Sequence, residues 1–274
     1  MKPDSQLPIG VFDSGIGGLT VVRELHRVLP NEDIIYLGDT ARVPYGTKSP
    51  DTVTRFACED AQFLIQQKVK ALVVACNTAS AWALPALQQR FSLPIFGVIL
   101  PGARVALEKT RNRRIGVIGT ASTVRSKAYT NAIRTRDEGA KVFSEACPLL
   151  VPLVEEGLLD HAATRIILEE YLRPLLRKQI DTLILGCTHY PLLKKAIGKI
   201  TKRNVALVDS AECCAASVAE SLAQFKLLTP QNTRKGTLRP YVTDDTERFE
   251  AMAERFLGFP TEQTWKVELP ALKE

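Results

Sequence analysis

Two stretches of the chain constrain its fold most, because each is a short apolar run that ends in a cysteine. Ala71 to Ala81 has the sequence ALVVACNTASA, in which the run ends at Cys76. Thr182 to Leu192 has the sequence TLILGCTHYPL, in which the run ends at Cys187. Runs of this kind are typical of strands that are buried on both faces of a parallel sheet. Since α/β proteins bind ligands beyond the carboxyl ends of such strands, both cysteines are predicted to lie at a ligand-binding edge.

Segments on either side of these stretches repeat in the same order. Ile9 to Ser14 (IGVFDS) is echoed by Ile115 to Thr120 (IGVIGT), and Pro94 to Val98 (PIFGV) is echoed roughly by Asn204 to Val208 (NVALV). The echoes indicate two copies of one α/β unit. The predicted fold is therefore two pseudo-symmetric three-layer α/β domains with mostly parallel sheets. If the two halves face each other, their cysteines lie on opposite sides of a shared cleft, which would be the active site.

The length of the chain, 274 residues, suits two domains of ordinary size. The Pro101-Gly102 region is predicted to be the crossing into the second half. Asp209 follows the echoed strand at the position where the first half ended, so the last segment is expected to return to the first domain. The predicted domains are residues 1–98 plus 209–274, which carry Cys76, and residues 99–208, which carry Cys187.

Helices are predicted between the strands from apolar spacing and cap residues. One is expected to begin near Ala79, shortly after Cys76, and another near Leu192, shortly after Cys187. A single helix is predicted over about residues 123–136. Asn77 and Thr78 stand where they can both cap the first of these helices and bind a polar substrate.

The composition is that of an ordinary globular protein, with 45% hydrophobic and 24% charged residues. No apolar run approaches the roughly 18 residues of a membrane span, and the first ten residues lack an apolar signal core. A cytoplasmic protein is therefore predicted. The six cysteines have neither CxxC spacing nor a disulfide framework, and those other than Cys76 and Cys187 are expected to be inert core residues: Cys58, Cys147, Cys213 and Cys214.

The net charge of +6 comes partly from two basic runs, Arg111 to Arg114 and Lys194 to Arg203. No aromatic residues alternate with these basic residues and no nucleic-acid-binding motif accompanies them. A solvated basic face is thus favoured over nucleic-acid binding. A modestly positive field would also favour a small anionic substrate.

A glycine-rich turn follows the first predicted strand, at Ser14 to Gly18, directly after Asp13. A turn between a strand and a helix resembles an anion-binding loop, because helix N-termini carry free backbone N–H groups. It is not a dinucleotide loop, since Thr20 stands where that fingerprint needs glycine, and it lacks the Gly-Lys-Ser/Thr end of a P-loop. Binding of a carboxylate fits better, although Asp13 could also serve only as a helix-entry residue. A second irregular loop, ending at Pro50, is expected near the same strand ends.

Two cysteines at strand ends have three possible roles. One thiol could be a nucleophile with His189 as its base. The pair could bind a metal together with His189, but no fourth ligand lies near them in the sequence, and no metal site is predicted. Alternatively, the thiols could act as acid and base on opposite faces of one carbon, as inversion of a stereocentre requires. The pseudo-symmetry favours this third role. Glu155 and Glu156 are either functional acids or merely exposed glutamates.

Four motifs resemble those of the glutamate racemases, within the aspartate/glutamate racemase superfamily. They are DSGIGG at 13–18, PYG at 44–46, ACNTAS at 75–80 and GCTHYP at 186–191. The motifs occur in the family's order and extend over most of the chain. The resemblance implies interconversion of L- and D-glutamate without a cofactor, supply of D-glutamate for peptidoglycan synthesis, and a homodimer.

The resemblance also implies a role for each residue of the site. Cys187 would deprotonate L-glutamate with assistance from His189, and Cys76 would deprotonate D-glutamate with assistance from Asp13. Glu155 corresponds to the acid of the family's Val-Glu-x-Gly segment. The positions that match substrate-contacting residues are Asp13, Ser14, Tyr45, Gly46, Asn77, Thr78, Thr188 and His189.

Two alternatives remain open at this point. A racemase of the same superfamily that acts on aspartate or a hydantoin would share the thiol pair. A non-enzymatic regulatory or DNA-associated protein would use the basic surface instead, and its cysteines would be packing residues.

Overall fold

The computed structural model describes residues 4–202, 204–230, 234–261 and 263–270, and within these residues ten strands form two sheets. The strands are β1 (Ile9–Asp13), β2 (Ile34–Gly38), β3 (Ala71–Val74), β4 (Ile95–Gly97), β5 (Arg114–Gly119), β6 (Lys141–Ala146), β7 (Thr182–Gly186), β8 (Ala206–Asp209), β9 (Leu238–Val242) and β10 (Trp265–Lys266). One sheet has the order β10-β9-β2-β1-β3-β4 and the other the order β6-β5-β7-β8.

Twelve α-helices connect the strands in the described part of the chain. They are α1 (Leu19–Val28), α2 (Pro50–Gln66), α3 (Asn77–Trp82), α4 (Leu84–Arg90), α5 (Ile99–Lys109), α6 (Ala121–Ser126), α7 (Ala128–Arg134), α8 (Leu150–Glu155), α9 (Ala162–Arg177), α10 (Lys194–Thr201), α11 (Ser210–Phe225) and α12 (Thr246–Leu257). Short 3₁₀ turns occupy Thr40–Arg42, Tyr45–Thr47 and Tyr190–Leu193.

The two sheets repeat one topology. The order β2-β1-β3-β4 in the first recurs as β6-β5-β7-β8 in the second, and every strand pairing is parallel. Ile9 pairs with Ala71 and Ile115 pairs with Thr182, so the segments that echo each other in sequence also take equivalent places in the sheets. The predicted fold class, two related α/β units with parallel sheets, is confirmed.

The central strands β1, β2 and β3 of the first sheet are buried along their whole length, which explains their unbroken apolar sequences. Along β1, Val11 belongs to a core that includes residues of α1, α11 and α12, whereas Phe12 belongs to a core that includes residues of α2. Helix α2 begins sharply because the Ser49 side chain accepts a hydrogen bond from the Thr52 N–H (3.2 Å), with Pro50 at the first helical position.

Three helix predictions were wrong in detail. The helix predicted over 123–136 is divided into α6 and α7, because Lys127 adopts a left-handed conformation (φ 56°) that an α-helix cannot contain. The helix predicted near Ala79 already begins at Asn77, directly after Cys76. After Cys187 a 3₁₀ turn precedes α10, which starts at Lys194.

The predicted domain boundaries stay a prediction. The first sheet takes its strands from residues 9–97 and 238–266, and the second from residues 114–209. The predicted domain ranges also include residues outside the described part of the chain: 1–3, 203, 231–233, 262 and 271–274. No helix in the described ranges is long and apolar enough to cross a membrane.

Candidate active site

The topology brings the two cysteine-bearing strand ends to equivalent crevices. In each sheet the strand order reverses between two central neighbours, β1 and β3 in the first and β5 and β7 in the second. Open α/β sheets bind ligands beyond the carboxyl ends of such strands. Asp13 and Cys76 stand at this edge of the first sheet, and Thr120 and Cys187 at this edge of the second.

A cavity of about 310 Å³ lies between the two edges and is lined from both sheets. Cys76 and Cys187 both border it, and each is only 6% exposed. The other predicted site residues that line it are Ser14, Tyr45, Gly46, Asn77, Thr78, Glu155, Thr188 and His189. Of the predicted residues, only Asp13 does not line the cavity. The fold therefore places one thiol of each repeat at the same small space.

The Cys76 thiol lies in a buried and weakly polar setting. Cys76 is the residue before α3, and its Sγ lies 3.7 Å from the Ser14 hydroxyl oxygen. Burial, together with the nearby Asp13 carboxyl, raises the pKa of Cys76 to about 12. At neutral pH, Cys76 is therefore a protonated thiol.

Asp13 lies behind Cys76 at the end of β1 and is 1% exposed. Its Oδ2 accepts a hydrogen bond from the Gly15 N–H (3.1 Å), while its Oδ1 has no partner among the described residues. Burial raises the pKa of Asp13, although His189 and backbone N–H groups oppose this shift. A buried carboxyl oxygen without a partner is costly, and Asp13 bears on the site through its effect on the Cys76 thiol.

The Cys187 thiol lies beside a histidine and a carboxylate. His189 Nδ1 is 3.9 Å from Cys187 Sγ, and His189 Nε2 is 3.0 Å from Glu155 Oε1. Burial alone would lower the pKa of His189, but the hydrogen bonds with Cys187 and Glu155 outweigh it and raise the pKa to about 10. His189 is thus an imidazolium at neutral pH, and it can stabilise a thiolate on Cys187.

Of the two adjacent glutamates, Glu155 is the one that reaches the site. It ends α8, and its hydrogen bond with His189 lowers the pKa of the carboxyl. The Arg255 guanidinium donates to the backbone carbonyl of Glu155 (2.6 Å), and the ring of Phe256 packs edge-on against His189 (5.2 Å between centroids). Glu156 is exposed.

The polar residues after Cys76 have partners within the fold. Asn77 Oδ1 accepts from the Tyr129 hydroxyl (2.7 Å), and Asn77 Nδ2 donates to Ser210 Oγ (3.4 Å). The Thr78 hydroxyl lies 2.9 Å from that of Thr120, across the boundary between the two sheets. These contacts fix the N-terminus of α3.

Tyr45 borders the cavity without pointing its hydroxyl into it. The phenol is buried and makes hydrogen bonds with Asp39 and Asp60 on the far side. The backbone N–H groups of Tyr45 and Gly46 begin a 3₁₀ turn, so they have no acceptor within it, and no other described residue accepts from them. They are available to a carboxylate in the cavity.

Tight contacts join the two halves around the cavity. A Cβ on Gly17 would lie 2.3 Å from Thr188 Oγ1 and 2.4 Å from His189 Nδ1, so only glycine fits there. The Thr20 hydroxyl donates to the Thr188 carbonyl (2.9 Å). The glycine-rich turn of the first half thus packs directly against the Cys187 segment of the second.

Several residues of the cavity were missed by the sequence-based prediction. Thr120 could have been found, because it is the repeat counterpart of Ser14 in the echoed segments. Cys147 was predicted to be an inert core residue, and it is fully buried but also borders the cavity. Gly15 and Pro44 could also have been found, because they belong to the DSGIGG and PYG motifs. The remaining missed residues carry no sequence signal for a site: Val43, Thr47, Ala121, Pro148, Val151 and Pro152.

This geometry can support acid–base chemistry at one carbon. A protonated thiol and a thiol paired with an imidazolium line the same enclosed space, so one group can donate a proton while the other accepts one. A nucleophilic mechanism would use Cys187 and His189 but would leave Cys76 without a role.

Comparisons with known proteins agree with this chemistry. The Asp/Glu/Hydantoin racemase family matches residues 9–239 of the chain. The chain is 52% identical over 266 residues to the glutamate racemase of Geobacter metallireducens, covering 97% of this chain and 98% of the relative.

Two solved structures are also similar. A glutamate racemase isoform from Bacillus anthracis has a TM-score of 0.93 at 44% identity, over 98% of this chain and 100% of that one. The glutamate racemase from Francisella tularensis, in complex with D-glutamate, has a TM-score of 0.90 at 41% identity, over 96% of this chain and 98% of that one.

Proposed function

The chain belongs to the Asp/Glu/Hydantoin racemase family, and we propose that it interconverts L- and D-glutamate without a cofactor and so supplies D-glutamate for peptidoglycan synthesis. The observation that carries the proposal is the pair of thiols, one from each repeat, at a single cavity. The similar proteins at 41–52% identity are glutamate racemases, which favours glutamate over aspartate or a hydantoin as the substrate.

In the proposed reaction, the Cys187 thiolate removes the α-proton of L-glutamate, and the Cys76 thiol donates a proton to the opposite face of the carbanion. The product is D-glutamate, with the thiolate now on Cys76 and the proton on Cys187. Exchange of protons with solvent, or turnover of D-glutamate in reverse, restores the starting state. The imidazolium of His189 beside Cys187 and the protonated state of Cys76 support this starting arrangement.

The α-proton of an amino acid is very weakly acidic, so the site must stabilise the carbanion and keep water out. Asp13, which does not line the cavity, would act through Cys76, and the N–H groups of Tyr45 and Gly46, which have no acceptor among the described residues, would bind a substrate carboxylate. Ser14, Asn77, Thr78 and Thr188 would complete the polar contacts. An ammonium kept charged near the carbanion lowers its energy by direct electrostatic attraction.

Circular dichroism of the purified protein with one amino acid at a time tests the substrate. A solution of L-glutamate should lose its ellipticity without added cofactor, and so should a solution of D-glutamate. At low substrate concentration the two rates should be equal. Loss of ellipticity with L-aspartate or a hydantoin, and none with glutamate, would keep the two-thiol mechanism and change the substrate. No change with any of them would contradict an enzymatic role and favour the regulatory alternative.

We also propose a cytoplasmic homodimer with no nucleic-acid function. The six cysteines are buried and unpaired, as expected in a reducing compartment. Light scattering coupled to size-exclusion chromatography would give the mass of the assembly, and a mass near that of the 30.2 kDa chain would contradict the dimer.

A further inference from the structure

A group of ionisable side chains lies directly behind the cavity wall that is formed by residues 43–47, and the proposed proton transfers do not use it. Two of its carboxyls, Asp39 and Asp60, are completely buried, and the tyrosine among them is 1% exposed. We call this group the anchor cluster; it consists of Asp39, Arg42, Tyr45, Glu59 and Asp60.

Arg42 holds the three carboxyls of the cluster together. Its Nε donates to Asp39 Oδ2 (2.6 Å), its Nη2 donates to Asp60 Oδ1 (3.0 Å), and its Nη1 donates to Glu59. The ring of Phe56 covers the guanidinium at 4.1 Å. Because one guanidinium cannot neutralise three carboxylates, a fully ionised cluster would bury uncompensated negative charge.

The hydrogen bonds of Tyr45 indicate which carboxyl is neutral. The phenol oxygen contacts both Asp39 and Asp60 (2.9 Å to the Asp60 Oδ2), but a phenol has one proton and can donate to only one of them. Asp39 already accepts from Arg42 and from the Thr243 hydroxyl (3.0 Å), so it is the better anion. Burial and the charge of Asp39 raise the pKa of Asp60 well above its ordinary value. Tyr45 therefore donates to Asp39, and protonated Asp60 donates to Tyr45.

The cluster fixes a segment that has little regular structure of its own. Between β2 and α2 the chain forms only two 3₁₀ turns, and Arg42 and Tyr45 attach these turns to Asp60 on α2. The opposite side of the segment faces the cavity. Gly46 is also confined on its cavity side, because a Cβ on Gly46 would lie 2.9 Å from the Thr120 Cβ. Loss of the anchor would therefore move Tyr45 and Gly46, which line the cavity.

We propose that Asp60 is a positioning residue of this site, which acts through Tyr45 and Arg42 to hold the 43–47 wall where the Tyr45 and Gly46 N–H groups meet a substrate carboxylate. The inference rests on the proposed function, because it assigns those N–H groups to the bound amino acid. Asp60 itself does not line the cavity.

The test compares KM and kcat for L-glutamate in three variants. Asp60→Leu keeps the branched shape of the side chain but removes both hydrogen bonds, and it should raise KM about tenfold or more while kcat changes less than about threefold. Asp60→Asn can still donate to Tyr45 and accept from Arg42, so it should recover most of this loss. Tyr45→Phe keeps the ring and should raise KM about three- to tenfold. It serves as the second probe if the leucine variant does not fold.

Glu32→Gln is the matched control, because Glu32 is a buried acid (2% exposed) of the first sheet's unit, paired with the fully buried Lys70. This change should lower the melting temperature and leave KM at the parental value. An unchanged KM in Asp60→Leu or Tyr45→Phe would overturn the positioning role. An equal rise in KM in Asp60→Leu and Asp60→Asn would contradict the hydrogen bond that protonated Asp60 donates to Tyr45. The parental protein is assayed first: if it does not turn over glutamate, the proposed function fails, whereas an active parent with unaffected variants contradicts only this inference.

Discussion

Cys76 and Cys187 follow equivalent strands, β3 and β7, of two sheets with the same strand order, yet their surroundings differ. The neutral Ser14 hydroxyl and the buried Asp13 carboxyl stand near Cys76, whereas the His189 imidazolium and the Glu155 carboxylate stand near Cys187. The repeat supplies the position of each thiol, while residues that differ between its two copies set the charge around that thiol. The proposed two-base reaction needs one protonated and one ionised group at any moment, and the raised pKa of Cys76 and the imidazolium beside Cys187 favour such an arrangement.

Removing either thiol is the change with the largest expected effect. Cys76→Ala or Cys187→Ala should reduce racemisation in both directions by about 10⁴-fold, because one face of the carbanion then has no acid–base group. Each variant should still exchange the α-proton of one isomer slowly in D2O with retention: L-glutamate for Cys76→Ala and D-glutamate for Cys187→Ala. Proton NMR and circular dichroism measure both. Substantial two-way racemisation by either variant would refute the two-thiol account.

Substituting the residues that assist each thiol should distinguish the proton transfer at Cys187 from the proton transfer at Cys76. His189→Asn should slow turnover about 10²–10³-fold, and Asp13→Asn about 10–10²-fold. L- and D-glutamate have equal free energy, so kcat/KM falls equally in both directions for any variant. Isotope effects must therefore identify which of the two proton transfers is slowed. In His189→Asn, α-deuterated L-glutamate should show a larger effect on kcat/KM than α-deuterated D-glutamate, and in Asp13→Asn the reverse. The same ranking in both variants would contradict the assignment of one partner to each thiol.

Alkylation should distinguish the thiols without turnover. At pH 7–9, iodoacetamide should modify Cys187 at least about tenfold faster than Cys76, since thiolate is the reactive form. His189, with its pKa raised to about 10, stays charged below that pH and loses its charge as the pH rises through it. Cys76, with its pKa raised to about 12, ionises only at higher pH, so the difference should shrink above pH 10. Peptide mapping by mass spectrometry gives both rates, and faster labelling of Cys76 at pH 8 would reverse the proposed asymmetry.

The smallest expected effect comes from the carboxylate behind His189. Glu155→Gln removes a negative charge that raises the pKa of His189, so the upper limb of the pH–rate profile should move to lower pH and turnover should fall about three- to tenfold. Glu156→Gln is the control, because Glu156 is adjacent but exposed. Equal losses in both variants would mean that Glu155 has no specific role at His189.

Much of the fold could be predicted because its signals are local. The apolar runs before Cys76 and Cys187 are strands buried on both faces, and the echoed segments occupy equivalent strands. The break between α6 and α7 could not be predicted, since Lys127 adopts a left-handed conformation without a glycine or proline to mark it. Helix α8 was not predicted either, because its six residues include a proline and are too few for a clear helical period.

Site residues that directly follow a strand could be predicted from the sequence. Site residues that are brought together by tertiary contacts were harder to predict. Ser14, Cys76 and Thr188 line the cavity as expected from their motifs. The orientation of Tyr45 was not predictable, because its buried partner Asp60 belongs to another element and lies in a helix with an ordinary amphipathic sequence. Sequence spacing gives no measure of such long-range contacts.

The most direct test of the two-thiol account is deuterium incorporation during the first turnovers of L-glutamate in D2O, followed by proton NMR and circular dichroism. The account predicts that D-glutamate carries deuterium at its α-carbon while the remaining L-glutamate keeps its protium, and that the reaction begun from D-glutamate gives the mirror result. Deuterium appearing in the unreacted substrate as fast as in the product would indicate a single base that serves both faces. That result would contradict the account.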